Sequence, residues 1–528
     1  MKRQIVNLIS FVRGAEPREP IDLVRPVREQ LELLRRHAMP GTFLLQYDVL
    51  LEPTITDLLK NARDVEIEIG GWFELVQAQV EAAGLIWRGR PGYSWDWHAH
   101  VGQTAGYWPK ERELLVDVFI QRFSQVFGRL PASIGGWTLD AHTLAYLSDR
   151  YGIVASCNCR EQCGTDGLSL WGGYYGQGYY PCRNNMLSPA QTQERQIPVP
   201  VFRMLGSDPI YQYDLGLDLH TGETDHQQAA TLEPVPTGGV GGGSVPTWVD
   251  WYLRENFSTN CLSFGYAQTG QENSFGWPRM CEGLTNQMNA VAALRDAGKL
   301  EVLTLEQTGR WYRAQYPVTP ASIIAALTDW QHEGRGSVWY SSRYYRTNVF
   351  WQGDRFWLRD IHLFREDYNE RYKNGVTERA FAEYDTLPLM DGNRWSRDDI
   401  RAGLYPVTVE HDETASTQAL VFSSVQYAEL NESTAAVTFF GTQCGRVAIT
   451  LCETQLQIET GPTAVFALEA RFGNSIYLPE VLLHTSDMLT LRYNGFSYSV
   501  QLTAGRLEPT EAGFLLYAEN GFLALKLA

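Results

Sequence analysis

The order of its local patterns limits this chain more than any other feature. From Ile5 to Leu305, short apolar β-rich runs alternate with amphipathic stretches of helical period. Beyond about Pro320 the helical period fades and only strand-like runs remain. Strands are predicted at 5–12, 41–49, 65–70, 132–137, 154–159, 196–205, 261–267 and 300–305. Helices are predicted at 23–36, 54–62, 73–83, 111–127, 141–151 and 285–297. The helix at 23–36 shows the logic: Val24, Val27, Leu31, Leu33 and Leu34 recur at helical spacing with charge between them. Strand–helix alternation of this kind predicts a parallel sheet, open or closed into a barrel. Residues just after each strand then matter most, because active sites of such folds lie at the carboxyl ends of the strands.

The last two hundred residues read differently. Runs such as "ALVFSSVQYAEL", "TAAVTFFG" and "LTLRYNGFSYSVQL", with Asn-Gly and Asp-Gly turns, predict antiparallel β structure. A chain of 528 residues exceeds what one core usually supports. The expected division is a catalytic domain over 1–318 and a β-rich domain over 319–528. The glycine tract "TGGVGGGSVP" (Thr237–Pro246) has neither a strand leading into it nor a following Lys-Ser/Thr. It is expected to be a flexible surface linker, not a phosphate loop.

Charge excludes some partners. The formal net charge of -17 repels phosphate backbones and anionic headgroups, so nucleic acid and membrane surfaces are not expected partners. No run of 18 apolar residues suggests a membrane span. Met1–Leu8 reads as a first strand and not as a signal peptide, so a cytoplasmic location is expected. Disulfides are then not expected among the eight cysteines. Cys157, Cys159, Cys163 and Cys182 lie close together, yet lack paired Cys-x-x-Cys knuckles; a metal site and buried free thiols both remain open there.

Polar and aromatic residues concentrate after the predicted strands. Glu74 follows the third strand in "EIGGWFE", where a catalytic carboxylate and a helix-start carboxylate favoured by the macrodipole are both open readings. The loop "GYSWDWHAHVGQTAGYWP" carries Asp96, Trp97, His98 and His100. It reads as a substrate wall, with metal binding by its histidines as the alternative. Asp140 opens a helix after Trp137, with His142 behind it, and suits either an N-cap or a catalytic acid. Asp208 and Tyr211 follow a later strand. Glu272 follows the strand at 261–267, beside Gln271 and Trp277. Glycosidic cleavage needs two carboxyl groups in different roles. Glu272, Asp140 and Glu74 are therefore the catalytic candidates. Trp72, Asp96, Trp97, His98, His100, Trp137, His142, Asp208, Tyr211, Gln271 and Trp277 are the substrate-binding candidates.

Over its first 310 residues or so the chain resembles the polysaccharide-deacetylase-like (β/α)7-barrel superfamily that includes glycoside hydrolase families 38 and 57. "GTFLLQYDV" looks like that group's second strand, and "EIEIGGW" like the strand leading to its metal-binding histidines. "LEVLTLEQTGRWYRAQYP" is similar to the pair that closes such barrels. The resemblance implies an α/β fold: a distorted (β/α)7-type barrel followed by a C-terminal antiparallel β-sandwich, acting on a glycan. The chain departs from the pattern at the metal site. "SFVRGAEP" stands where deacetylases carry an Asp-Asp pair, and Gly71, Trp72 and Glu74 stand where the histidines should be. The expectation is thus a metal-independent, cofactor-free glycoside hydrolase using paired carboxylates on a carbohydrate substrate. A metal-dependent deacetylase-like hydrolase using His98, His100, Asp96 or the Cys157/Cys159 pair is one alternative. A non-catalytic glycan-binding protein, with its strand-end carboxylates paired to arginine, is the other. Homo-oligomerisation stays open.

Overall fold

The computed structural model describes residues 2–165, 167–214, 230–236, 241–258, 260–397, 400–411, 415–462, 464–510 and 513–528. The protein is a mixed α/β chain with a parallel half-barrel sheet and several antiparallel sheets. At the centre is β1 (Gln4–Val12), buried at every position. This is the signature of a parallel strand covered on both faces. β2 (Gly41–Leu45), β3 (Ile67–Trp72) and β4 (Ile134–Gly135) follow it in parallel order, with Ile9 opposite Thr42 and Gly41 opposite Ile67. The other edge of β1 pairs with the strand Gly265–Thr269. Beyond β4, a parallel bridge from Ser133 to Ala155 leads to β5 (Ser156–Cys159), which pairs with the strand Val201–Met204.

The predicted alternation holds, with boundary differences that have local causes. Ala141–Tyr151 is a helix as expected; Asp140 caps its start and Gly152, at φ 67°, ends it in the left-handed region. The helix expected at 73–83 is only Gln77–Ala82. Leu75 N–H donates to Gly102 and Gln77 N–H to Ser94, so the loop that follows holds Phe73–Val76 out of helical geometry. Glu74 is consequently not a helix-start carboxylate. The helix expected from 285 begins at Trp277, with proline in its first turn.

The glycine tract corrects an expectation. Residues 237–240 lie outside the described residues, but Gly241–Gly243 are buried, so this half is not a surface linker. A Cβ on Gly243 would sit 2.4 Å from both the Gln287 amide and the Glu233 carbonyl; one on Gly241 would sit 2.8 Å from Trp330. Glycine is there because no other residue fits.

Beyond Ala321 the chain forms a ten-stranded and an eight-stranded antiparallel sheet. Val338 and Leu358 from the first share one apolar core with Val437 and Leu451 from the second. One strand returns to the first half: Ala382–Asp385 pairs in parallel with Leu168–Trp171. All eight cysteines are free thiols, and the four between 157 and 182 do not converge on a common point among the described residues. Burial pushes the Cys159 and Cys182 thiols up to about 11. Among the described residues no helix is long and apolar enough to cross a membrane.

Candidate active site

Three strand ends of the half-barrel meet on one guanidinium. Arg13 is the first residue past β1 and is 3% exposed. Its Nε and Nη2 donate to the two oxygens of Glu74, both at 3.0 Å, in a bidentate pair. Its Nη1 donates to Glu272 Oε1 at 2.9 Å. Asn273 holds the Arg13 backbone on both sides, accepting its N–H at 2.8 Å and donating to its carbonyl at 2.9 Å. The guanidinium lies over the Trp95 ring at 3.9 Å. Burial works against charge on Arg13, but Glu272 and Glu74 outweigh it and hold its pKa above the ordinary value.

Local sequence places both carboxylates. Glu74 stands two residues beyond the end of β3, and Trp72 Nε1 donates to its Oε2 at 3.1 Å. Trp72 is itself fixed by Phe11, 4.4 Å away between ring centres, and by an edge-on Trp137 at 5.2 Å. Glu272 depends on Gly270, at φ 118°: a Cβ there would lie 1.9 Å from the Ile9 carbonyl. Only glycine lets the chain cross this closely over β1. The Ser274 hydroxyl then donates to Glu272 Oε1 at 2.6 Å, and the Gln271 side chain receives the Glu272 N–H at 2.7 Å.

Arg13, Glu74 and Glu272 line a cleft together with Trp95, Trp97, Trp137, Phe275, Gln103, Arg160 and Glu233. Aromatic faces and polar groups thus share one surface at the carboxyl ends of the strands. Gln271 lies behind this surface and donates to Glu233 Oε1 at 2.8 Å. Of the sequence candidates, Glu74, Glu272, Trp97 and Trp137 come together in the cleft. Arg13 was legible as a departure from the family pattern, but nothing local marked it as the hub. Trp95 belongs to the aromatic loop read as a substrate wall, whereas Arg160 and Glu233 carried no sequence signal beyond residue type.

The other candidates lie elsewhere. Asp140 is fully buried, accepts the Thr143 N–H at 3.0 Å and pairs with buried Arg112 at 3.0 Å. Burial alone would raise its pKa, but Arg112 overcomes this and holds it below the ordinary carboxylate value. His142, two residues further on, pairs with Glu113 at 3.2 Å. Asp96 receives a bidentate Arg90, and His98 and His100 stack on each other beside it. Asp208 takes the indole N–H groups of Trp248 and Trp330 and the backbone of Ile210 and Tyr211, while the Tyr211 hydroxyl donates to Asp329. Trp277 opens a helix and packs on the main core.

The metal that deacetylase-like chemistry would use does not fit the residues at this site. Among the described residues no histidine lines the cleft, its two central carboxylates are engaged by Arg13, and Asp96 beside His98 is taken by Arg90.

Next to Asp140, Glu370 accepts the N–H groups of Ala141 at 3.0 Å and Met186 at 2.9 Å. Burial first, then the charge of Asp140, pushes its pKa up to about 7. The folded protein therefore keeps a proton that the unfolded chain, titrating near 4.5, has lost. This contribution to stability is complete below about pH 4.5 and is lost as pH rises through about 7, on the order of 3 kcal/mol in all. Urea unfolding at pH 5 and pH 8 should show that decline in the wild type and a smaller one in Glu370→Gln.

No family model matches the chain, and no curated protein matches it. Solved structures do. A Parabacteroides distasonis protein described as a glycoside hydrolase/deacetylase aligns at TM-score 0.52 and 16% identity, over 73% of this chain and 90% of that one. A Mycobacterium smegmatis protein described as a polysaccharide deacetylase aligns at TM-score 0.35 and 15% identity, over 60% and 91%. A family 57 branching enzyme from Thermococcus kodakaraensis aligns at TM-score 0.29 and 10% identity, over 60% and 71%. At these identities the likeness is one of fold, and only the first is close enough to bear on it.

Proposed function

From a fold shared with a protein described as a glycoside hydrolase/deacetylase, and a cleft of carboxylates and aromatics at its strand ends, we propose that this chain is a carbohydrate-active hydrolase. We assign it the cleavage of glycosidic bonds without a metal. The observation that carries the reading is the Glu74–Arg13–Glu272 bridge, which fixes two carboxyl groups from different strand ends on one cleft. Glu74 receives three donors from Arg13 and Trp72, which suits the group that stays ionised and attacks the anomeric carbon or activates water. Glu272 is then the acid that protonates the leaving oxygen. Trp97 and Trp137 offer apolar faces to the sugar rings, and Arg13 keeps both carboxylates oriented.

The same bridge favours a second reading. An arginine that occupies both carboxylates also suits a site that binds glycans and does not turn them over. A screen of aryl glycosides, oligosaccharides and acetylated glycans with the full chain separates the possibilities. Released aglycone or new reducing ends are expected. Acetate release with intact glycosidic bonds would overturn the glycosidase assignment in favour of deacetylation, and binding without any product would overturn catalysis altogether.

A further inference from the structure

Away from the cleft, two carboxylates face each other inside the antiparallel half of the molecule. Asp360 on the strand Arg355–Leu363 is directly opposite Asp391 on the strand Leu387–Asp391. Like charges in that position repel, and burial leaves no water to screen them. His362 lies on the same strand as Asp360, two residues on, so all three side chains share one face. Asp360 is 0% exposed, and His362 and Asp391 are each 1% exposed.

The hydrogen bonds determine which nitrogen of His362 faces the pair. The Thr386 hydroxyl spends its only proton on the Gly172 carbonyl at 2.5 Å. Thr386 Oγ1 can therefore only accept from His362 Nδ1, 3.2 Å away, which places a proton on Nδ1. Nε2 points between the carboxylates, 3.7 Å from Asp360 Oδ2 and 3.5 Å from Asp391 Oδ2, and has no hydrogen-bond partner. A neutral ring would aim a lone pair at two anions. A proton on Nε2 would draw one carboxylate in to about 2.7–2.9 Å. The ring instead stands off from both by nearly the same distance. Donor atoms that share a tetrahedral ion at about 2.1 Å lie roughly 3.4 Å from one another. All three donor atoms here lie within 4.8 Å of one another.

The geometry points to a structural site for one divalent transition metal ion, of the zinc class, held by Asp360 Oδ2, His362 Nε2 and Asp391 Oδ2. Two carboxylates and an imidazole are ligands that such an ion takes, and an imidazole among them favours the zinc class over calcium. The outer shell has the form such ligands take: Tyr213 donates to Asp360 at 2.6 Å, Trp171 to Asp391 at 2.9 Å, and His362 to Thr386. Arg346 also pairs with Asp360, at 2.9 Å, and with Glu161, at 3.0 Å, and Arg203 pairs with Glu161; with Asp391 these side chains leave one net negative charge inside the protein for the ion to offset. The metal would pin the strand of Asp360 to that of Asp391, and through Trp171 and Tyr213 to the first half of the chain.

The test is to express the full chain in medium supplemented with zinc or cobalt, remove loose ions by gel filtration, and count bound metal by mass spectrometry. Wild type should retain about one ion per chain, with visible d–d absorption from cobalt. His362→Gln and Asp391→Asn should retain only background. Thr386→Val keeps every ligand but loses the Nδ1 partner, and should bind about 10–100-fold more weakly. Wild type that carries no more metal than His362→Gln, or no metal at all, overturns the site and leaves His362 as the proton-bearing partner of the two carboxylates.

Discussion

Glu272→Gln should lower kcat/KM by about a thousandfold or more on every substrate the protein cleaves, while the fold survives. The expectation rests on shape. Glutamine keeps an oxygen where Glu272 Oε1 accepts from Arg13 and Ser274, so the packing around the cleft hardly changes. Arg13 also keeps its bidentate partner Glu74. What disappears is the proton that the leaving oxygen needs. A melting temperature near that of the wild type, with activity gone, is the expected combination. Full activity on every substrate would remove Glu272 from the chemistry. Arg13→Met is the contrasting variant, because it leaves Glu74 and Glu272 buried without their shared cation. It should cost about 3–5 kcal/mol of stability as well as activity.

Asp140→Ala should show the opposite pattern: a loss of about 3–5 kcal/mol in urea unfolding, and a turnover rate close to that of the wild type for whatever protein remains folded. Removing this carboxylate strands the Arg112 charge at 0% exposure and leaves the first turn of the helix Ala141–Tyr151 without its cap. Arg112 also ties Tyr107, Tyr372 and Gly375 together through their carbonyls, so a displaced guanidinium would loosen the contact between the two halves. A folded Asp140→Ala protein that has lost its rate by orders of magnitude would restore Asp140 as a catalytic acid.

Much of the molecule was legible in the sequence. The switch from helical period to strand alternation marks where the ten- and eight-stranded antiparallel sheets begin, because amphipathic period reports directly which face of each element is covered. Strand-end position picked out Glu74 and Glu272, and tryptophan density picked out Trp97 and Trp137. The five antiparallel strands between Gln162 and Pro189 were not read, since strands of two to five residues are too short to show a period.

The roles of the carboxylates were decided in tertiary structure alone. By local sequence, Asp96, Asp140, Asp208, Glu74 and Glu272 look alike: an acid beyond an apolar run, near an aromatic. What distinguishes them is the group that reaches each one. Arg112 meets Asp140 from 28 positions away in the chain, and Trp330 meets Asp208 from 122. Arg13 reaches Glu74 across 61 positions and Glu272 across 259. The sequence by itself determined which elements form and where their ends carry charge. Which charges are buried as structural pairs and which line the cleft depended on partners brought together by folding, because the electrostatics of a buried carboxylate is set by its neighbours in space and not by its neighbours in the chain.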